Sequence, residues 1–280
     1  MLKKILVVLS ENPRTSSHVR AAIDIAKRNG AEITGFVAVD EDDLRQVGPA
    51  PVGAFSYRYA LAEGRVAQGF STADASIADF REVCAEADVP FKALETSGRQ
   101  DRRLSDAWRF QDLAILPTQV WNPGFRGLGN AETLLHFVAM GMRPLLVVPQ
   151  GFDRLPKKTI VALSGSLDSA KAFKHFVQMR PFGDTPVHLV TVGQPKSAET
   201  ADELLDHAAD YARAHGLAVT SAALAHSDDR VQTLLDHAAE VGGEAFVVGS
   251  SYRHFVLFTR FGSHALGLLE RTGCPVFVSH

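Results

Sequence analysis

Residues 3–10 read KKILVVLS, and residues 157–164 read KKTIVALS. Two further pairs follow in the same order. DLAILPT at 112–118 matches EAFVVGS at 244–250, and RPLLVVP at 143–149 matches CPVFVSH at 274–280. Three matched blocks, offset by about half of a 280-residue chain, constrain the fold more than any other feature. One domain has been built twice, with a period far too long for a solenoid. The halves are set at 1–150 and 157–280, joined by the short segment QGFDRLP at 150–156, so they are expected to pack against each other.

Within the second half, TIVALS, PVHLVTVG, LAVTSAALA, EAFVVGS and PVFVS are short apolar runs suited to strands. Between them, LDSAKAFKHFVQMR, SAETADELLDHAADYARAHG, DDRVQTLLDHAAEVGG and GSHALGLLERTG carry helical spacing and helix-ending glycines. The first half follows the same rhythm, with a longer stretch after its second strand. Alternating strands and helices require parallel pairing with right-handed crossovers. The expected fold class is α/β: two doubly wound five-stranded parallel-sheet domains, packed as a pseudo-dimer. Ligands of such sheets sit beyond the carboxyl ends of the strands, near the switch point, which directs attention to the loops after strands one and four.

Composition narrows the function classes. The 29 Lys+Arg are balanced by 32 Asp+Glu, a formal net charge of −3, so no basic field exists to hold nucleic acid. No apolar run approaches the ~20 residues of a membrane-spanning helix, and the N-terminal apolar stretch lacks a small-residue cleavage site. The two cysteines, Cys84 and Cys274, form no disulfide framework or metal cluster. A reducing cytoplasm is the expected compartment.

In the second half, strand four ends at Gly249, and Gly262-Ser263 opens the last helix. Glycine allows close backbone approach, while free N–H groups and a hydroxyl at a helix start suit a phosphate. On Ser263 alone, a simple helix cap is the competing explanation. Gly249, Gly262 and Ser263 follow the spacing Gly-x2-Gly-x9-Gly-Ser, and with the repeat and the CPV strand the chain resembles the universal stress protein family over essentially its whole length. The resemblance implies an adenine nucleotide alpha hydrolase-like fold, a stress-response or regulatory role and, in many members, ATP binding. It places an adenine slot at Ala162 and Val192, with Val248 beneath, and Ser164 near the nucleoside. Tyr252, Arg253 and His264 complete the candidate cofactor-binding set. The chain departs from the pattern in two places. Tyr252 occupies the second glycine position, and Ser10 and Ser164 stand where ATP-binding members usually carry Asp. In the first half, Pro117 and Asn130-Ala131 replace the corresponding glycine and Gly-Ser, so this half is expected not to bind a nucleotide.

Several other features have rival explanations. Ala162, Val192 and Val248 also fit plain sheet core. Ser164-Gly165-Ser166-Leu167-Asp168-Ser169 is similar to the pyrophosphate loop of ATP pyrophosphatases, yet Ser166 equally suits a helix N-cap with Asp168 favouring its positive end. His207 and His237 read as solvated helix residues, and His226, His254 and His264 as neighbours of the ligand-face loops. No His-x3-His spacing or nucleophile–base pair is evident, so neither a metal site nor a catalytic residue is assigned. Cys274 reads as buried and inert. The insert Arg45–Tyr57 and the Phe255–Phe261 loop are candidates for a groove cover or a contact surface. The reading is a non-enzymatic binding protein with ATP or AMP as ligand in the second half. The alternative is a scaffold acting through a protein partner or an apolar ligand. A monomeric pseudo-dimer and a homodimer are both open.

Overall fold

The computed structural model describes residues 2–10, 12–48, 55–118, 131–140, 144–250, 252–254, 259–261 and 263–280. The first half contributes β1 (Lys4–Val8), α1 (Ser17–Asn29), β2 (Glu32–Val39), α2 (Glu41–Leu44), α3 (Phe55–Glu86), β3 (Phe91–Ser97), α4 (Gln100–Trp108), β4 (Leu113–Pro117), α5 (Ala131–Met140) and β5 (Leu145–Val148). The second contributes β6 (Thr159–Ala162), α6 (Leu167–Met179), β7 (Val187–Val192), α7 (Ala201–Ala214), β8 (Val219–Leu224), α8 (Arg230–Val241), β9 (Ala245–Gly249), the hairpin β10 (Tyr252–His254) and β11 (Thr259–Phe261), α9 (Ser263–Arg271) and β12 (Val276–Ser279).

The two expected sheets are one. Ten strands run in the order β3-β2-β1-β4-β5-β12-β9-β6-β7-β8. Each half keeps parallel pairing, and the halves join where β5 and β12 pair antiparallel, with Leu146 opposite Phe277. The pseudo-dimer is therefore an edge-to-edge fusion of the two last strands. The interior strands are buried on both faces, which is why their sequences read as continuous apolar runs. The edge strands β3 and β8 have exposed positions along their length and carry more polar residues.

Strand periodicity sorts the core into two layers. Ile5, Val7, Ile33, Ile115, Leu146, Val161, Leu189, Val247 and Phe277 face α1, α3, α6 and α7. Leu6, Val8, Phe36, Leu116, Val147, Ile160, Val190, Phe246 and Val278 face α4, α5, α8 and α9. Each layer runs across both halves. Phe277 meets the ring of Phe176 edge-on at 5.4 Å, and Phe80 of α3 fits over Gly35, where any Cβ would lie 2.5 Å from the ring.

Local chemistry fixes the helix ends. Ser166 caps α6 by accepting from the Ser169 N–H at 3.2 Å. Thr200 and Glu203 form a reciprocal capping box on α7, and Asp229 caps α8 by accepting from the Gln232 N–H at 2.9 Å. The repeat extends to polar details. Asp112 accepts from the Lys3 and Lys4 N–H groups, and Glu244 accepts from the Lys157 N–H at the same place in the second half. Glu244 also pairs with Arg154, tying the linker to the sheet. The longer stretch of the first half contains the 32-residue helix α3. Residues 49–54 of the candidate insert lie outside the described residues. Cys84 is buried, whereas Cys274 is only partly so, with a thiol pKa raised chiefly by burial.

Two predictions follow from this shared core. Phe277→Ala should cost about 3–5 kcal/mol, and urea denaturation should still show one transition, because Phe277 lies in a layer that runs across both halves. His18 in α1 is 2 % exposed and donates from Nε2 to the Val8 carbonyl at 2.8 Å. Burial lowers its pKa from 6.5 to about 4. Between these values the unfolded chain binds the extra proton, so stability is full above pH ~6.5 and falls as pH drops toward ~4. Denaturation midpoints across that range should show this loss, and His18→Phe should flatten it.

Candidate functional site in the second half

The sheet order places β9 and β7 on opposite sides of β6. This is a switch point, where successive helices leave for opposite faces and a cleft opens beyond the carboxyl ends of the strands. The cleft is lined by Ala162, Ser164, Val192, Val248, Arg230 and His264 together with Leu163, Ser169, Val190, Gln194, Leu234 and Gly249. The space between its walls, open mouth included, is about 480 Å³.

The floor is apolar because it is the end of a buried sheet. Val192 and Val248 are 8 % and 4 % exposed, with Ala162 beside them. One wall is a serine cluster at the start of α6. The Ser164 N–H donates to Ser169 Oγ at 3.3 Å, and Ser169 Oγ–H donates to the Ser166 carbonyl at 2.8 Å. Ser164 Oγ lies 2.9 Å from Ser166 Oγ. That contact uses one of two hydroxyl protons and leaves the other available. The β7–α7 loop closes over this wall through a 2.8 Å bond from the Lys196 N–H to the Ser164 carbonyl.

The opposite wall carries the charge. Arg230 is the first residue of α8 and has no ion-pair or hydrogen-bond partner among the described residues. His264, in the first turn of α9, has a lowered pKa. Burial is the main cause, with the charges of Arg230 and Lys196 adding to it. The imidazole is therefore neutral near pH 7, and Arg230 is the cation of the cleft among its described lining residues.

Of the residues singled out in the sequence, Ala162, Ser164, Val192, Val248, Gly249 and His264 converge on this cleft. Tyr252 and Arg253 lie on the backbone of β10, paired with Phe261 and Arg260 of β11, and their side chains are outside the description. Ser263 begins α9, but its side chain, Gly262 and residues 255–258 of the Phe-rich loop are also outside it. In the first half, Pro117 ends β4, while residues 119–130 lie outside the described residues. The sequence reading missed Arg230 and Gln194, and named Ser169 only as part of the pyrophosphatase-like loop. For Arg230 a signal existed: Asp229 is a capping residue after strand three, so its helix must start at the same carboxyl edge.

Gly249 corrects the reason given for it. A Cβ there would lie 2.5 Å from the Asp168 carbonyl carbon and the Ser169 nitrogen. The glycine is needed because the first turn of α6 crosses the end of β9, and a phosphate is not required to explain it. His237 is also corrected, since it is not a solvated helix histidine. Its Nε2 lies 2.8 Å from Nε2 of the buried His188, whose Nδ1 meets Thr220 Oγ1 at 2.7 Å. His207 is exposed and bonds Glu199 at 2.9 Å. Among the described residues, no group of three or more His, Cys, Asp or Glu could hold a metal ion.

Gly249→Ala should destabilise the protein by about 1–3 kcal/mol or more through backbone overpacking. Thermal unfolding checks this, and wild-type stability would show that the helix–strand crossing can relax.

The universal stress protein family model matches residues 156–280. A universal stress protein from Archaeoglobus fulgidus superposes with a TM-score of 0.70 at 14% identity, covering 99% of this chain and 97% of that one. A Pseudomonas aeruginosa protein assigned to the same family superposes with a TM-score of 0.60 at 13% identity, covering 99% and 93%. No curated protein matches the chain. Residues 156–280 therefore match the universal stress protein family, and the chain as a whole shares the fold of these solved structures.

Proposed function

We propose that the cleft of the second half binds an adenine nucleotide, ATP or AMP, and that the chain acts in the cytoplasm as a stress-response regulator by binding rather than by catalysis. The observation that carries this reading is the pairing, in one cleft, of an apolar slot with a cation that has no partner among the described residues. Ala162, Val192 and Val248 suit the face of a base, and Ser164 offers a hydroxyl for the nucleoside. Arg230 and the start of α9 suit the phosphates.

A second reading, a scaffold without nucleotide, is favoured by Tyr252 at the second glycine position and by serine in place of the carboxylate at Ser164. Titration calorimetry with Mg-ATP and with AMP separates the two. Binding is expected, weakened about tenfold or more in Arg230→Gln, because a charge-assisted hydrogen bond is worth ~1.5–3 kcal/mol. An absence of heat and of thermal shift at millimolar nucleotide would discard the first reading. Release of pyrophosphate from ATP would discard the non-catalytic role.

A further inference from the structure

The first half has its own cleft, built from different chemistry. It is lined by Ser10, His18, Thr118, Gln150, Glu270 and Thr272 with their neighbours, and encloses about 950 Å³ including its mouth. Ser10 follows β1, Thr118 follows β4, and Gln150 follows β5, so this is again the carboxyl edge of a parallel half-sheet. The remaining wall comes from the other half: Leu269 and Glu270 lie in the last turn of α9, and Thr272 follows it.

The protons in this cleft can be assigned one by one. The Val8 carbonyl can only accept, so the 2.8 Å contact from His18 Nε2 places the hydrogen on Nε2. A ring held neutral by burial then presents Nδ1 as a bare lone pair. No partner for Nδ1 exists among the described residues, although His18 is 2 % exposed and lines the cavity. Ser16 Oγ–H is committed to the Asn12 carbonyl at 2.7 Å, so in the 2.5 Å contact with Ser10 the proton belongs to Ser10. Ser10 Oγ therefore has only lone pairs left to offer. Both inner polar groups are acceptors. Among the described lining residues there is no Lys or Arg, and Glu270 places a carboxylate at the rim.

A phosphate would set its oxygens against the two inner acceptors, with only the neutral donors of Thr118, Gln150 and Thr272 to hold it and a carboxylate at the rim. A buried ammonium would find its carboxylate only at the exposed edge, and burying an unpaired charge is costly. We infer that this cleft binds a small uncharged molecule rich in hydroxyl groups, of the polyol or monosaccharide class, which donates to Ser10 Oγ and His18 Nδ1.

Amide NMR of the full chain tests this, and reads the two clefts separately. Titration with glycerol, myo-inositol and glucose is expected to shift the amides of Ser10, His18, Thr118 and Gln150 for at least one probe. Inorganic phosphate should leave those amides unmoved, and Ser164 and Arg230 report independently on the second-half cleft. Ser10→Ala, which removes one partly exposed hydroxyl, should weaken the responding probe about three- to tenfold with the rest of the spectrum unchanged. The nitrogen resonance of His18 Nδ1 should be that of an unprotonated imidazole nitrogen. Silence with all three probes, an equal response to phosphate, undiminished affinity in Ser10→Ala, or a protonated Nδ1 would each overturn the inference.

Discussion

The antiparallel pairing of β5 with β12 governs the molecule. A five-stranded unit ending in Leu145–Val148 or Val276–Ser279 would expose the unpaired backbone of a largely apolar strand, the edge most prone to unwanted association. Duplication in one chain gives each such edge its twin. The pairing removes both edges and makes two layers of helices serve one sheet. It leaves β3 and β8, with their exposed and more polar positions, as the outer edges.

The direction of that pairing also sets where ligand chemistry can occur. Because the half-sheets run in opposite directions, their carboxyl ends lie at opposite margins of the ten-stranded sheet, and so do the two clefts. The two clefts differ in charge. The second-half cleft offers a guanidinium without a partner among the described residues and a spare hydroxyl proton. The first-half cleft offers two acceptor atoms and a carboxylate at the rim. α9 bounds both, with His264 on one cleft and Leu269 and Glu270 on the other.

Much of the fold was legible in the sequence because strands buried on both faces must be apolar without interruption, and the repeat presented each of them twice. The capping role of Ser166 was legible for the same local reason. What escaped was set by tertiary approach. Gly249 looked like a phosphate-loop glycine, and only the crossing of α6 over β9 shows why a side chain is forbidden there. Arg230 sat unremarked in a helix because its importance depends on which strand end that helix faces. His237 read as a solvated residue of α8, since its partner His188 lies 49 positions away on another element. The lone pair of His18 depends on a carbonyl contact that no spacing rule announces.

Native-state hydrogen exchange across the seam tests the central claim most directly. If β5 and β12 join the halves into one cooperative unit, the bonded amides of residues 145–148 and 276–279 will exchange only through global unfolding, as slowly as the most protected amides of β1 and β6. Exchange of the seam amides through a lower-energy opening, with β1 and β6 still protected, would show two independent domains in contact and contradict the account.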